Sequence, residues 1–222
     1  MAGNTPAQSR VLVWDGAVRL AHWLTAGLIA ALWWTAQTGH MDWHRLCGYA
    51  VLGLIVFRLW WGLFGSSTAQ FSGFVRGPVG IVRYLRGKAA PTVGHNPLGA
   101  LSVLALLATT AAVSVLGLFS VDTDGIESGP LSDRVSFETG RMAAHWHHTL
   151  FNLLLGLVVL HLAAIAFYLV VKRDNLVGPM LTGAKRVPDG VGAVTRVPLW
   201  RFIAGVALAA GVAVLAARGF RV

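Results

Sequence analysis

Eight histidines fall in a 222-residue chain that is otherwise poor in ionisable groups, and their spacing is its first chemical signal. The stretch HWHHTLFNLLLGLVVLH, residues 145–161, crowds three of them ahead of an apolar run and puts a fourth, His161, inside it. His22 also lies within an apolar run, and His44 stands at the head of another. An ionisable side chain at membrane depth is costly and calls for a partner. Each helical residue turns about 100°, so His147 lies about 40° from His161 on one face, while His148 points about 140° away and His145 about 160° away. A rise of about 1.5 Å per residue separates His147 from His161 by roughly 21 Å, too far for one metal and suited to two stacked sites.

Each of those sites needs a second histidine from another helix. With the N-terminus on the inner side, the first helix runs outward from near His22, and His161 lies deep in an inward-running fourth helix. His44 and His147 both open their helices on the outer side. The pairs are therefore His22 with His161 inside and His44 with His147 outside. Two bis-histidine pairs stacked in a helical bundle are what two six-coordinate b-type haems require, and a haem with both axial positions filled passes electrons rather than binding oxygen. No CxxCH occurs, so the haems would be non-covalent.

Blander roles compete with this one. An intramembrane histidine also serves as a hydrogen-bonded link between helices, and histidines near headgroups are often just wet. His40, one turn from His44, competes for the outer position. His145 and His148 read as interfacial polar residues, and His95 as part of the start of the third helix or as a contact to a haem propionate. Cations to pair with propionates are Arg19 and Arg58 near the inner site and Arg45 and Arg141 near the outer one. Arg58 sits within an apolar helix, where a guanidinium either meets an anion or snorkels to the headgroups.

The elements that must position these residues are membrane helices. The chain is 55% hydrophobic and 12% charged, with a mean hydropathy of +0.64, which excludes a soluble single-core domain. Apolar runs at about 17–38, 46–64, 97–120, 149–171 and 200–217 approach or reach the roughly 20 residues a helix needs to cross a bilayer. The first run holds Arg19, His22 and three tryptophans and lacks a cleavage site, so it is expected to be retained. The third helix starts with a capping Asn96 and Pro97, and the fourth stops at KRDN before Gly178-Pro179.

The net charge of +9 is spread by topology rather than gathered into a nucleic-acid patch. Residues 65–96 carry Arg76, Arg83, Arg86 and Lys88 without an acid, and Lys172, Arg173, Lys185, Arg186, Arg196 and Arg201 follow the fourth helix. The 121–141 loop holds five of the nine acids. The positive-inside rule then puts the N-terminus and both basic segments in the cytoplasm. Tryptophans 14, 60 and 61 are expected at the inner headgroups and 33, 34, 43 and 146 at the outer ones. The fragment GPVGIVRYLRGK suits the inner membrane surface, and the lone Cys47 is assigned no chemistry.

The segments VWDGAVRLAHW (13–23), WHRLCGYAVLGLIVFRLWWGLFG (43–65), GHNPLGAL (94–101) and HHTLFNLLLGLVVLH through VKRDNLVGPMLTGAKR (147–186) together resemble the bacterial cytochrome b561 and hydrogenase-type cytochrome b superfamily. The resemblance spans about residues 11–186 and implies four helices holding two b haems, with ligand positions at His22, His44, His147 and His161. It further implies electron exchange between quinone or quinol and a redox partner, such as a c-type cytochrome or a dehydrogenase subunit, in the bacterial inner membrane. The expected fold is thus all-α: an integral membrane four-helix haem-binding bundle over 1–186, followed by an extension, 187–222, with a fifth transmembrane helix. The leading function is a dihaem membrane cytochrome b, which with a partner would act as a quinone or quinol oxidoreductase. The alternatives are a membrane anchor subunit of a hydrogenase or other dehydrogenase, and a haem-free transporter or structural protein. Against the last stands the lack of paired carboxylates within the helices.

Overall fold

The computed structural model describes residues 8–88, 94–124, 126–188, 194–195 and 197–221. Among the described residues, five helices are long and apolar enough to cross a membrane: α1 Gly16–Gln37, α2 Met41–Phe64, α5 Pro97–Phe119, α6 Phe137–Val170 and α8 Leu199–Ala217. Shorter helices, α3 Phe71–Phe74, α4 Pro78–Leu85 and α7 Val177–Thr182, lie in the connections. The expected all-α membrane bundle is observed.

Helix starts follow the capping chemistry in the sequence. Asp15 Oδ1 accepts the Val18 amide at 2.7 Å at the head of α1, and Asn96 Oδ1 accepts that of Gly99 at 2.7 Å at the head of α5, next to Pro97. Ser136 caps α6 by accepting the Thr139 amide at 3.2 Å. This last cap moves the start of the fourth membrane helix far upstream of residue 149, so His145, His147 and His148 are all helical. At 34 residues α6 is about 51 Å long, and its first turns project beyond a hydrocarbon core of about 30 Å. Similarly, α2 begins at Met41 rather than 46, which places His44 in its first turn.

Helix α2 is central: it packs against α1, α5 and α8, and α5 packs against α6. A turn of Thr38, Gly39 and His40 joins α1 to α2, with Gly39 at φ 72°, a left-handed conformation suited to glycine. The fifth helix lies close along α2. A Cβ on Gly53 would stand 3.0 Å from the Ala209 carbonyl oxygen, one on Gly205 would stand 2.6 Å from the Trp60 ring, and Trp60 Nε1 donates to the Arg201 carbonyl at 2.9 Å. Small residues permit this approach where lipid gives no hydrophobic drive for helices to associate.

A two-stranded antiparallel ribbon, β1 Gln8–Leu12 with β2 Ala184–Pro188, is an element the sequence patterns do not announce. The carbonyl of Gly183 accepts from the amides of Val13 at 2.7 Å and Trp14 at 3.0 Å, locking the ribbon to the entry of α1. Thr68 Oγ1 donates to the Val13 carbonyl at 2.6 Å, so the segment after α2 joins the same end. The basic segments therefore share one face of the bundle. At the other end Arg221 pairs with Asp133 at 2.5 Å and Arg134 donates to the Gly219 carbonyl at 2.9 Å, bringing the end of α8 to the acidic loop.

The tryptophan expectation needs correction at the basic end. Trp33, Trp34, Trp43 and Trp146 are exposed, but Trp14 and Trp61 are buried. The two rings belong to a core of Val13, Val18, Ala21 and Phe57 that Phe202 of α8 helps to close, and Trp61 Nε1 donates to Asp15 Oδ2 at 3.0 Å. Ser66 donates to the same carboxylate oxygen. Helix α4 leaves Val79 and Leu85 exposed beside Arg83, a pattern suited to a headgroup layer. Arg196, counted above among the basic residues after α6, lies outside the described residues, as do 89–93 of the 65–96 connection.

Candidate haem sites

His44, in the first turn of α2, and His147, in α6, face each other at the acidic end with ring centres 6.1 Å apart and planes at 74°. Each Nδ1 meets a backbone carbonyl, Leu32 at 3.1 Å for His44 and Val113 at 2.9 Å for His147. A carbonyl only accepts, so both rings carry their proton on Nδ1 and keep the Nε2 lone pair free. Two imidazoles about 2 Å from a first-row metal through their nitrogens have ring centres roughly 6 Å apart, and this pair already stands at that separation. The two rings line a cavity of about 670 Å³ between α1, α2, α5 and α6, within the size range of cofactor sites. Gly117 of α5 makes room for the His147 ring, because a Cβ there would lie 3.1 Å from its Cε1.

Both outer arginines line this cavity but are engaged by the protein. Arg45 pairs with Asp42 at 2.6 Å and with Glu127, and Arg141 donates to the Val121 carbonyl at 3.2 Å. His40 stacks on Trp34 at 5.5 Å with its Nδ1 2.8 Å from Thr38 Oγ1, so it does not take the place of His44. His145 and His148 are exposed at the cavity margin.

The basic end carries a different signature. Among the described residues, four buried side-chain nitrogens or oxygens lack a hydrogen-bond partner: Arg19 Nε, His22 Nδ1, Arg58 Nη1 and His95 Nδ1. All four are nitrogens, and all lie toward the basic end of the bundle. His161 is near enough to His22 to be felt electrostatically, and His95 feels Arg58, His161 and His22 in turn. Arg58 places its guanidinium 4.8 Å from the centre of the Phe71 ring, with Nη1 buried rather than extended to solvent. Unpaired buried donors in a native protein point to a missing acceptor.

His95 is the residue that sequence reasoning left at the margin. It precedes α5, wedged between Trp14 and Phe74 with ring centres 4.6 Å from each and planes tilted by 55° and 47°. Burial, then the charges of Arg58, His161 and His22, push its pKa down to about 4, so the ring is neutral at physiological pH. The available signal was GHNP itself, a histidine directly before a capped helix start in a chain with few ionisable residues.

Among the described residues, no three His, Cys, Asp or Glu side chains converge as a metal-binding group. Paired imidazoles on facing helices instead match the axial positions of a porphyrin, which supplies the other ligands itself. The apolar bundle and its paired histidines define a membrane protein of the haem-binding class. The prokaryotic cytochrome b561 family model matches residues 13–183, and the chain belongs to that family. It is therefore a multi-pass bacterial membrane cytochrome of b type, acting in electron transfer. A relative, the probable Ni/Fe-hydrogenase B-type cytochrome subunit of Azotobacter chroococcum mcd 1, is 24% identical over 220 residues, covering 82% of this chain and 91% of its own. No solved structure matches the chain. The family match takes in both histidine pairs, Arg19, Arg58 and His95, and ends before α8.

Proposed function

We propose that the chain carries two non-covalent b haems, the inner one held by His22 and His161 and the outer one by His44 and His147, and that it moves electrons across the inner membrane between quinone and a redox partner. The observation that carries this reading is the outer pair: two imidazoles 6.1 Å apart, each fixed through Nδ1 by a carbonyl and each presenting Nε2. Haems held there would supply one-electron chemistry, and the two α6 ligands, His147 and His161, stand about 21 Å apart along the helix. The chain's residues orient the ligands, exclude water from the apolar slot and, through Arg19 and Arg58, meet the propionate charge of the inner haem.

The basic end, where β1 and β2 join the N-terminus to the segment after α6, faces the cytoplasm in this reading. The acidic loop and the projecting start of α6 then face the periplasm, where a c-type cytochrome can dock. A second reading of the partner is favoured by the name of the Azotobacter relative: a hydrogenase or related dehydrogenase subunit delivers electrons, and the chain anchors it.

A reduced-minus-oxidised spectrum with haem and protein quantified tests the assignment. Two b haems per chain are expected, and a colourless protein would end the reading in favour of a haem-free membrane protein. Replacing His161 or His22 with Ala should leave one haem per chain, with the outer spectral component intact. Loss of the outer component instead would break the pairing.

A further inference from the structure

We propose that His95 is a positioning residue of the inner site, donating a hydrogen bond from Nδ1 to a carboxylate, the propionate of the inner haem. The inference rests on the inner-haem assignment above and adds a residue, His95, that the assignment does not contain.

The ring is held in place before any ligand arrives. Trp14 and Phe74 clasp it from α1's entry and from α3, at 4.6 Å each. The next residue, Asn96, is fixed twice: its Oδ1 caps α5, and its Nδ2 donates to Tyr168 Oη at 2.7 Å on α6. Tyr168 Oη in turn lies 2.6 Å from Tyr84 Oη of α4. A ring so tightly packed still leaves Nδ1 buried and without a partner. A histidine that served only as filler between two aromatic rings would be replaceable by phenylalanine, which has no polar atom to strand.

The neighbours identify the missing group. Arg58 Nη1 and Arg19 Nε are stranded with it, and Arg58 acts on His95 directly as a charge. Donors and cations are gathered here with too few acceptors, so the absent ligand is an anion with several oxygens. Asp15, the nearby acid, is already taken: Oδ1 caps α1, and Oδ2 accepts from Trp61 and Ser66. A lone inorganic anion would have no reason to lie beside His22 and His161. The propionates of a haem ligated by those two histidines combine carboxylate chemistry with that location, at the aqueous end of the apolar slot.

The test uses the purified full-length cytochrome and a spectroscopic redox titration, with His161→Ala identifying which component belongs to the outer haem. His95→Phe keeps an aromatic ring between Trp14 and Phe74 and removes the donor, and His95→Asn puts an amide nitrogen near the position of Nδ1. The Phe variant is expected to lower the reduced-to-oxidised ratio of the inner haem at a fixed ambient potential several-fold, because the lost donor leaves the propionate charge more fully felt at the iron. The outer haem stays unchanged, and the Asn variant returns most of the shift. A Phe variant that loses the inner haem while the Asn variant keeps it near the wild-type potential also supports the proposal. A Phe variant with both haems and an unshifted inner potential overturns it, as does loss of the inner haem, or of the folded protein, in both variants. A wild-type protein without an inner haem would overturn the ligand assignment itself, a result distinguishable from failure of His95 alone.

Discussion

At the scale of single residues, the His44–His147 pair is oriented by groups that have no side-chain signature. The carbonyls of Leu32 and Val113 set the tautomers of His44 and His147, and Gly117 leaves space for the second ring. A Cβ at 117 would stand 3.1 Å from His147 Cε1 and 3.2 Å from Nδ1, closer than the ring tolerates without moving. Gly117→Val should displace the imidazole and break its bond to Val113, lowering haem content from about two per chain toward one. Quantified spectra should show the outer component lost and the inner one retained, and equal loss of both would contradict this account. Helical phase alone puts His147 and His161 on one face and sets His145 and His148 aside, because side-chain direction along a helix follows from number. The carbonyl acceptors and Gly117 stayed invisible because they act through backbone or through absence. The surroundings of His95 are not legible in the sequence, because Trp14, Phe74 and Arg58 come from distant parts of the chain.

At the scale of elements, α8 braces α2 rather than hanging beside the bundle as a loose anchor. Gly53 and Gly205 form the seam, Trp60 bonds the start of α8, and the end of α8 reaches the acidic loop through Arg134. Because α2 carries both His44 and Arg58, this brace steadies parts of both proposed sites. Gly53→Leu should force α8 away at a cost of about 1–3 kcal/mol, the usual range for overpacking. Thermal loss of haem absorbance in detergent should then begin several degrees lower, while Gly211→Leu, on the open side of α8, should change little. Equal effects of the two substitutions would remove the brace. Hydropathy revealed the five spans well, since lipid demands long apolar helices. It places the starts of α2 and α6 too late, because residues 41–45 and 137–148 mix charged and polar side chains with apolar ones yet are helical, held by Ser136 and by the turn at Gly39. The β1–β2 ribbon escaped notice because five-residue strands without alternation gain their register from a partner more than 170 residues away.

At the scale of the whole molecule, the two ends differ in a way that orders the two sites energetically. At the acidic end Arg45 is already matched by Asp42 and Glu127, and carbonyls draw on the Nδ1 protons of both ligands. Such bonds raise imidazole basicity and favour ferric iron. At the basic end His22 Nδ1 has no acceptor, and Arg19 and Arg58 hold unpartnered nitrogens. Positive charge there favours the iron that has gained an electron. Both differences act in the same direction, so the haem assigned to His44 and His147 should have the lower midpoint potential. A redox titration of the wild-type protein should resolve two components, and His161→Ala should retain only the lower. Electrons entering at the acidic face would then run downhill to the basic face, toward quinone in the inner half of the bilayer. If His161→Ala keeps the higher component instead, the asymmetry of hydrogen bonds and charges does not set the potentials, and the downhill direction inferred from it is withdrawn.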